Sequence, residues 1–155
     1  MTPSGGLVMA IELATRRRDA AGQALAQVLQ RHAHAVHQLD QLQSYAADTQ
    51  GRWSVAAQSS TTPQIVGHSY QFMARLDDTV NLQHGVIADV QRQCQTARQG
   101  LLDAEVMLAG LQRLIEKRRQ DQLRRGGRLE QQQTDEFASR RRTADAAQRD
   151  DKEYR

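Results

Sequence analysis

Apolar side chains recur at alternating steps of three and four residues along two long stretches of the chain. Because an α-helix turns once in about 3.6 residues, this spacing gathers them into one stripe, and a stripe kept to a seven-residue repeat packs against a partner helix as a coiled-coil seam. The upstream seam contains Ile11, Ala14, Arg18, Ala21, Leu25, Val28, His32, Ala35, Leu39, Leu42, Ala46, Thr49 and Trp53. The downstream seam contains Met73, Leu76, Val80, Gln83, Ile87, Val90, Cys94, Ala97, Leu101, Ala104, Leu108, Leu111 and Ile115.

The two seams are equal in length, which favours pairing within one chain. If the chain folds back on itself, Trp53 lies opposite Met73 and Ile11 lies opposite Ile115, so the turn is centred on Pro63. Proline suits a turn because its ring fixes one backbone angle and removes the N–H donor that a helix interior needs. We therefore predict an all-α fold, a long antiparallel two-helix coiled-coil hairpin.

One coiled-coil domain, residues 1–155, accounts for the chain. We expect helix one at about 7–55, a loop rich in serine and threonine at about 56–68, and helix two at about 69–147, with disordered ends. At about 1.5 Å per residue, the paired part is roughly 60 Å long.

The composition agrees with a rod rather than a compact globule. Aromatic residues make up 4% of the chain and the mean hydropathy is -0.71, so large core residues are few. Alanine, glutamine, leucine and arginine dominate, and these residues favour helix. The single cysteine cannot form an internal disulfide, and no apolar stretch is long enough for a signal sequence or a membrane span. We expect a soluble cytoplasmic protein.

The chemistry of the repeat changes after Ile115, where arginine, glutamine and glutamate take over the seam positions. Charged side chains of this kind do not form a dry core, and helix one no longer reaches this far. Helix two is therefore expected to overhang the hairpin, with a candidate hinge at Gly126 and Gly127. The charge follows the same division, with a net charge of -1 over residues 1–111 and +4 over residues 112–155.

The overhang carries a run of arginines that has three possible roles. It is a solvated helix face, a surface that docks on an acidic protein, or a binding site for nucleic-acid phosphates. No aromatic residues are interleaved with the arginines and acidic residues follow them, so nucleic acid is not an expected partner. The candidate docking residues are Arg113, Arg118, Arg119, Arg124, Arg125 and Arg128.

A zinc site would require ligands from His32, His34, His37 and Cys94, with His32 opposite Cys94 in the predicted pairing. The three histidines cannot all point one way, and a polar layer within the seam is the alternative. No phosphate-binding glycine loop, nucleophile elbow or pair of acids in a catalytic arrangement occurs. We expect no metal, no cofactor, no catalytic residue and no enzymatic activity.

A second candidate surface lies near the turn, where helical spacing aligns one stripe from each helix. Leu42 and Leu76 are shared with the seam, while Tyr45 and Phe72 should lean outward. An exposed aromatic pair on a rod poor in aromatics indicates a binding patch. The alternative is that both rings lie flat over the seam. The patch comprises Gln38, Leu42, Tyr45, Phe72, Leu76, Thr79 and Gln83.

Three segments resemble the FliJ family of the flagellar type III protein-export apparatus. They are the Gln-Leu-Asp-Gln-Leu run at 38–42 that leads to Tyr45, the Tyr-Gln-Phe at 70–72 with Leu76 four residues on, and the Asp-Glu-Phe-Ala at 135–138. Their order and spacing extend the resemblance over nearly the whole chain.

The resemblance implies a coiled coil similar to the central stalk subunit of the rotary F1 ATPase. It also implies a non-enzymatic cytoplasmic protein at the inner face of the cell membrane, which it reaches through partners only. Those partners are the hexameric flagellar export ATPase, the cytoplasmic domain of the export-gate membrane protein, and export chaperones. The patch near the turn corresponds to the gate-docking residues, with departures at Thr79 and at Gln83, where His84 is the other candidate. Charge and geometry alone assign the arginines to the ATPase.

Two other hypotheses account for the same sequence. One is a structural coiled coil that self-associates through its overhang. The other is a basic adaptor for nucleic acid, which predicts binding that weakens as salt rises.

Overall fold

A computed structural model of the protein describes residues 4–59 and 62–153. These residues form two α-helices, α1 over Gly5–Ala57 and α2 over Pro63–Glu153, and no strand occurs in the described ranges. The predicted all-α helical hairpin is confirmed. The chain divides into two compact units, which we call the hairpin unit, Leu13–Met107, and the terminal unit, Met1–Glu12 with Leu108–Arg155.

The hairpin unit is held together by the predicted seam. Every seam residue within it is buried or partly buried, on α1 and on α2 alike. The most deeply buried apolar residues of the seam here are Ala14, Val28, Ala35, Leu39, Leu76 and Cys94. Because removal of apolar surface from water is the main favourable term in such packing, the alternating three- and four-residue spacing is what pairs these helices.

The terminal unit contains the first turns of α1 and the second half of α2. Leu7 and Leu108 are buried within it, and Ile11, Leu111 and Ile115 are partly buried. Residues 127–152 of α2 are all exposed. Within the described ranges, this segment therefore has no partner helix along its length.

The second helix begins at Pro63, earlier than the predicted start near residue 69. Proline is tolerated at the first position of a helix because its missing N–H is one that the first turn leaves unpaired in any case. The N–H groups of Ile65 and Val66 both donate to the Thr62 carbonyl, at 3.1 and 3.2 Å. Pro63 is thus the first residue of α2 and not the centre of the turn.

The pairing of the helices is offset from the predicted one by about one helical turn. The Gln83 Nε2 donates to the Ala35 carbonyl at 2.8 Å, and a Cβ built on Gly22 lies 4.0 Å from the Leu101 Cδ1. The predicted pairing instead placed Leu101 opposite Leu25. Because the seam repeats every three to four residues, a shift of one turn also brings apolar residues together, so the pattern alone does not distinguish the two registers.

The ends of the chain are more helical than predicted. Gly5 already belongs to α1, and α2 continues to Glu153 rather than ending near residue 147. Residues 1–3 and 154–155, also predicted to be disordered, lie outside the described ranges. The helix runs without a break through Gly126 and Gly127, since the residues around them favour helix.

Candidate docking site

Tyr45 on α1 and Phe72 on α2 form an aromatic pair across the helices of the hairpin unit. Their ring centroids are 6.3 Å apart and their planes meet at 77°, an edge-to-face arrangement. Such pairs contribute about 0.5–1.5 kcal/mol beyond the area they bury. Tyr45 is nevertheless 54% exposed and Phe72 is 38% exposed. The pair is therefore held in place within the protein and still presents apolar surface to solvent.

The backbone that carries this pair is fixed by the seam. Leu76 is buried and Leu42 is partly buried, as the spacing predicted. Tyr45 lies three residues after Leu42, and Phe72 lies four residues before Leu76, so each ring shares a helix face with its own seam leucine. The leucines thus position the rings and are themselves little exposed to a partner.

Gln83 belongs to the seam rather than to the solvent face. Its amide Nε2 donates to the Ala35 carbonyl at 2.8 Å and approaches the Gln38 Oε1 at 3.3 Å. Both acceptors lie on α1, so this side chain is committed to contacts between the helices. His84, the alternative residue at this edge, is exposed.

Thr79 is exposed, but its hydroxyl donates to the Arg75 carbonyl at 2.9 Å within α2. The hydroxyl therefore already has an acceptor without any partner protein. The predicted patch separates into seam residues Leu42, Leu76 and Gln83, and a solvent-facing group that we call the aromatic patch. The aromatic patch consists of Gln38, Tyr45, Phe72 and Thr79.

The arginine run lies in the terminal unit, and all its predicted members are exposed. Arg119 pairs with Glu116 at 3.4 Å, and the other members form no ion pair with the described residues. At about 100° per residue, the run spreads over more than half of the circumference of α2. This basic segment therefore has uncompensated positive charge that faces several directions. The members are Arg113, Arg118, Arg119, Arg124, Arg125 and Arg128.

The family model described as Flagellar FliJ protein matches residues 5–145 of the chain. The chain belongs to the FliJ family. The match includes the aromatic patch and the basic segment, and it makes this protein a component of the flagellar export apparatus. No curated protein and no solved structure gives a significant match to it. Across 4–59 and 62–153, neither helix is long and apolar enough to cross a membrane.

The histidines of this FliJ-family protein are not gathered at one place. His32 and Cys94 line the same small cavity of about 370 Å³, with Leu29 and Arg98, while His34 and His37 are exposed. The His32 Nε2 is enclosed and has no hydrogen-bond partner in the described part of the chain. No group of three or more histidine, cysteine or acidic side chains suited to a metal ion occurs there either.

Sequence reasoning missed a second surface of this FliJ-family hairpin, near the turn. It is a groove of about 550 Å³, which we call the Trp53 groove. Residues just outside the seam form much of it, so the signal that could have revealed it is the cluster of apolar residues beside Trp53. Its main lining residues are Trp53, Ile65, Val66, Tyr70, Met73 and Asp77.

Proposed function

We propose that this protein is the central stalk of the hexameric flagellar export ATPase. In this proposal it docks on the cytoplasmic domain of the export-gate membrane protein and escorts export chaperones. It is not an enzyme, uses no cofactor and binds no nucleic acid. It works in the cytoplasm, at the inner face of the cell membrane, which it reaches through its partners only. Membership of the FliJ family supports this proposal over the self-associating coiled coil and the nucleic-acid adaptor.

The observation that carries the docking role is the Tyr45–Phe72 pair. Two aromatic rings from different helices meet edge to face at 6.3 Å and remain substantially exposed. Keeping apolar rings in water is unfavourable unless a partner covers them, and large aromatic side chains dominate binding free energy at protein interfaces. Because the two rings already pack against each other before binding, less conformational entropy is lost when the gate covers them.

The basic segment supports the stalk role. Residues 127–152 form a helix with every side chain exposed, and uncompensated arginines precede them. A single helix is narrow enough for the pore of a ring, and its charge would favour acidic pore surfaces. A single helix without six-fold symmetry meets each subunit of a hexamer differently, so it biases their conformations unequally as nucleotide turns over.

The gate-docking role is tested with Tyr45→Ala and Phe72→Ala in the full chain. We expect each variant to bind the purified cytoplasmic domain of the gate at least about tenfold more weakly, and to reduce secretion and motility. Because both rings are partly exposed, helicity and thermal unfolding should change little. Leu82→Ala, at a position 72% exposed on α2, is the matched control and should bind normally. Normal gate binding by both aromatic variants would refute the docking site.

The stalk role is tested separately by reversing charge in the basic segment. In the proposed stalk role, adding the protein to the purified export ATPase stimulates ATP hydrolysis. We expect Arg124→Glu with Arg125→Glu to abolish most of that stimulation, because attraction becomes repulsion. Arg16→Glu with Arg17→Glu, at exposed positions on α1, is the charge-matched control. Equal loss in both double variants would show a general charge effect and exclude a role specific to the basic segment.

A further inference from the structure

The Trp53 groove brings several apolar side chains together at one place on the hairpin unit. Tyr70 is 74% exposed, and Ile65 and Val66 are also exposed beside it. The tryptophan is the only one in the protein. Tryptophan and tyrosine are the residues most enriched at the centres of protein interfaces, and contiguous exposed apolar surface marks interaction sites.

This groove lies on the opposite edge of the seam from the aromatic patch. Phe72 comes directly before the seam residue Met73, whereas Asp77 comes directly after the seam residue Leu76. At about 100° per residue, Phe72 and Asp77 lean to opposite sides of the apolar stripe on α2. Occupation of one edge therefore leaves the other open, and the two surfaces can serve different partners.

The shape of the groove fits a helix. Its lining extends along α2 from Ile65 to Asp77, which is roughly 18 Å at about 1.5 Å per residue. It lies between α1 and α2, since Trp53 and Ser54 line it from the other side. A trough between two packed helices accepts the apolar ridge of a third helix about three turns long.

The charge of the groove selects the kind of helix. Among the described residues that line it, Asp77 is the one that is charged, and its carboxylate forms no ion pair with any of them. The side chains of Gln50 and Ser54, which also line the groove, make no hydrogen bond there either. A free carboxylate beside apolar walls favours a lysine or arginine at the margin of an otherwise apolar face.

We propose that the Trp53 groove binds an amphipathic helix of a partner protein, with its apolar face on Trp53, Tyr70 and Met73 and a basic residue against Asp77. This surface is distinct from the aromatic patch assigned to the export gate. The bound helix covers Trp53 and completes a local three-helix packing. The affinity of this helix for the groove therefore depends on both its apolar face and its basic residue.

Trp53 itself reports on this binding. The probe is a synthetic helical peptide of about 14 residues, with a leucine and alanine face flanked by lysines and without aromatic residues. Added to the full chain, it should move the Trp53 emission to shorter wavelength and saturate, because the indole leaves water. A peptide with glutamates in place of the lysines should bind at least about tenfold more weakly.

Two pairs of variants locate the binding. Tyr70→Ala should weaken the lysine peptide at least about tenfold, whereas Tyr45→Ala, on the opposite edge, should leave it unchanged. Asp77→Asn should weaken it severalfold and reduce its salt dependence, whereas Asp78→Asn, the adjacent exposed carboxylate, should not. Circular dichroism establishes that each variant is folded.

The proposal is overturned if the lysine peptide gives no saturable shift, or if the two peptides bind equally. It is also overturned if Tyr45→Ala is as damaging as Tyr70→Ala, or Asp78→Asn as damaging as Asp77→Asn. An emission shift on concentrating the chain alone, accompanied by dimer formation in light scattering, would assign the groove to a second copy instead. Gate binding measured on the same variants shows separately whether the aromatic patch functions.

Discussion

Two segments of α2 share the same seven-residue repeat but differ in burial. Between Leu76 and Ala104, every seam residue is buried or partly buried against α1, whereas residues 127–152 are exposed throughout. The first segment places leucine, valine, isoleucine and cysteine at the seam positions, and the second places mainly polar and charged residues there. The comparison teaches that helical spacing sets which side chains share a face, while their chemistry and a partner helix decide whether that face is buried.

The two segments must therefore be stabilised by different interactions. The paired segment is stabilised by removal of apolar surface from water, at about 25 cal/mol per Å². The exposed segment depends on intrinsic helix propensity and on local pairs such as Glu136 with Arg140 at 2.9 Å. Such pairs contribute a few tenths of a kcal/mol each, so the exposed helix is expected to fray more readily than the paired one.

The largest expected difference in stability comes from truncating one leucine of the seam and one leucine of the exposed segment. Leu39 in the seam is 9% exposed and Leu129 in the exposed segment is 59% exposed. Leu39→Ala should lower the free energy of unfolding by about 2–4 kcal/mol, because it leaves a cavity between the helices. Leu129→Ala should change it by less than about 0.5 kcal/mol. Urea titration followed by circular dichroism measures both, and equal effects would show that residues near 129 are covered.

Replacing glycine by alanine should affect different measurements in the two segments. No atom of the described residues lies within 4 Å of a Cβ built on Gly100, Gly126 or Gly127, so alanine fits at each. Each change should stabilise its helix locally by about 1 kcal/mol. Gly100→Ala should raise the thermal midpoint of the hairpin. The double change at 126 and 127 should instead slow amide hydrogen exchange around those residues and leave that midpoint unchanged. A raised midpoint in the double variant would mean that both segments melt together.

Much of this contrast was predictable from the order of residues. The seam, the two helices and the change in chemistry after Ile115 follow from hydrophobic periodicity, which is the strongest signal that a sequence carries. The start of α2 was not predictable in the same way, because Ser59 and Thr62 before Pro63 have loop chemistry whether or not proline begins a helix.

The register and the details of the docking site could not be predicted for a different reason. A repeating apolar stripe matches itself after a shift of one turn, so only specific contacts fix the pairing. The hydrogen bond from Gln83 to the Ala35 carbonyl is such a contact. Spacing placed Tyr45 and Phe72 on the same edge of the seam, but their edge-to-face packing depends on the true register. The Trp53 groove also depends on it, since its walls come from both helices.

Replacing Gln83 tests which contact fixes the pairing of the two helices. Gln83→Ala removes the 2.8 Å hydrogen bond to Ala35 and should lower the free energy of unfolding by about 1 kcal/mol. Gln38→Ala removes only the longer 3.3 Å contact at an exposed position, so its effect should be smaller. Thermal unfolding followed by circular dichroism at 222 nm distinguishes the two variants. If the two variants melt alike, the bond to the α1 backbone does not fix the pairing.

The smallest effect is expected in the exposed segment, at the ion pair of Glu136 with Arg140. Both side chains are mostly exposed, and the acid lies four residues before the base, the favourable order on a helix. Glu136→Gln should lower helicity by an amount equivalent to about 0.3 kcal/mol at low salt, and the difference should vanish in 1 M salt because the pair is screened. Glu130→Gln, at an exposed acid that forms no ion pair in the described chain, is the control and should have no salt-dependent effect. If the loss of helicity in Glu136→Gln persists in high salt, this segment is stabilised by something other than local electrostatics. Its stabilisation would then resemble that of the paired segment more than its exposure implies.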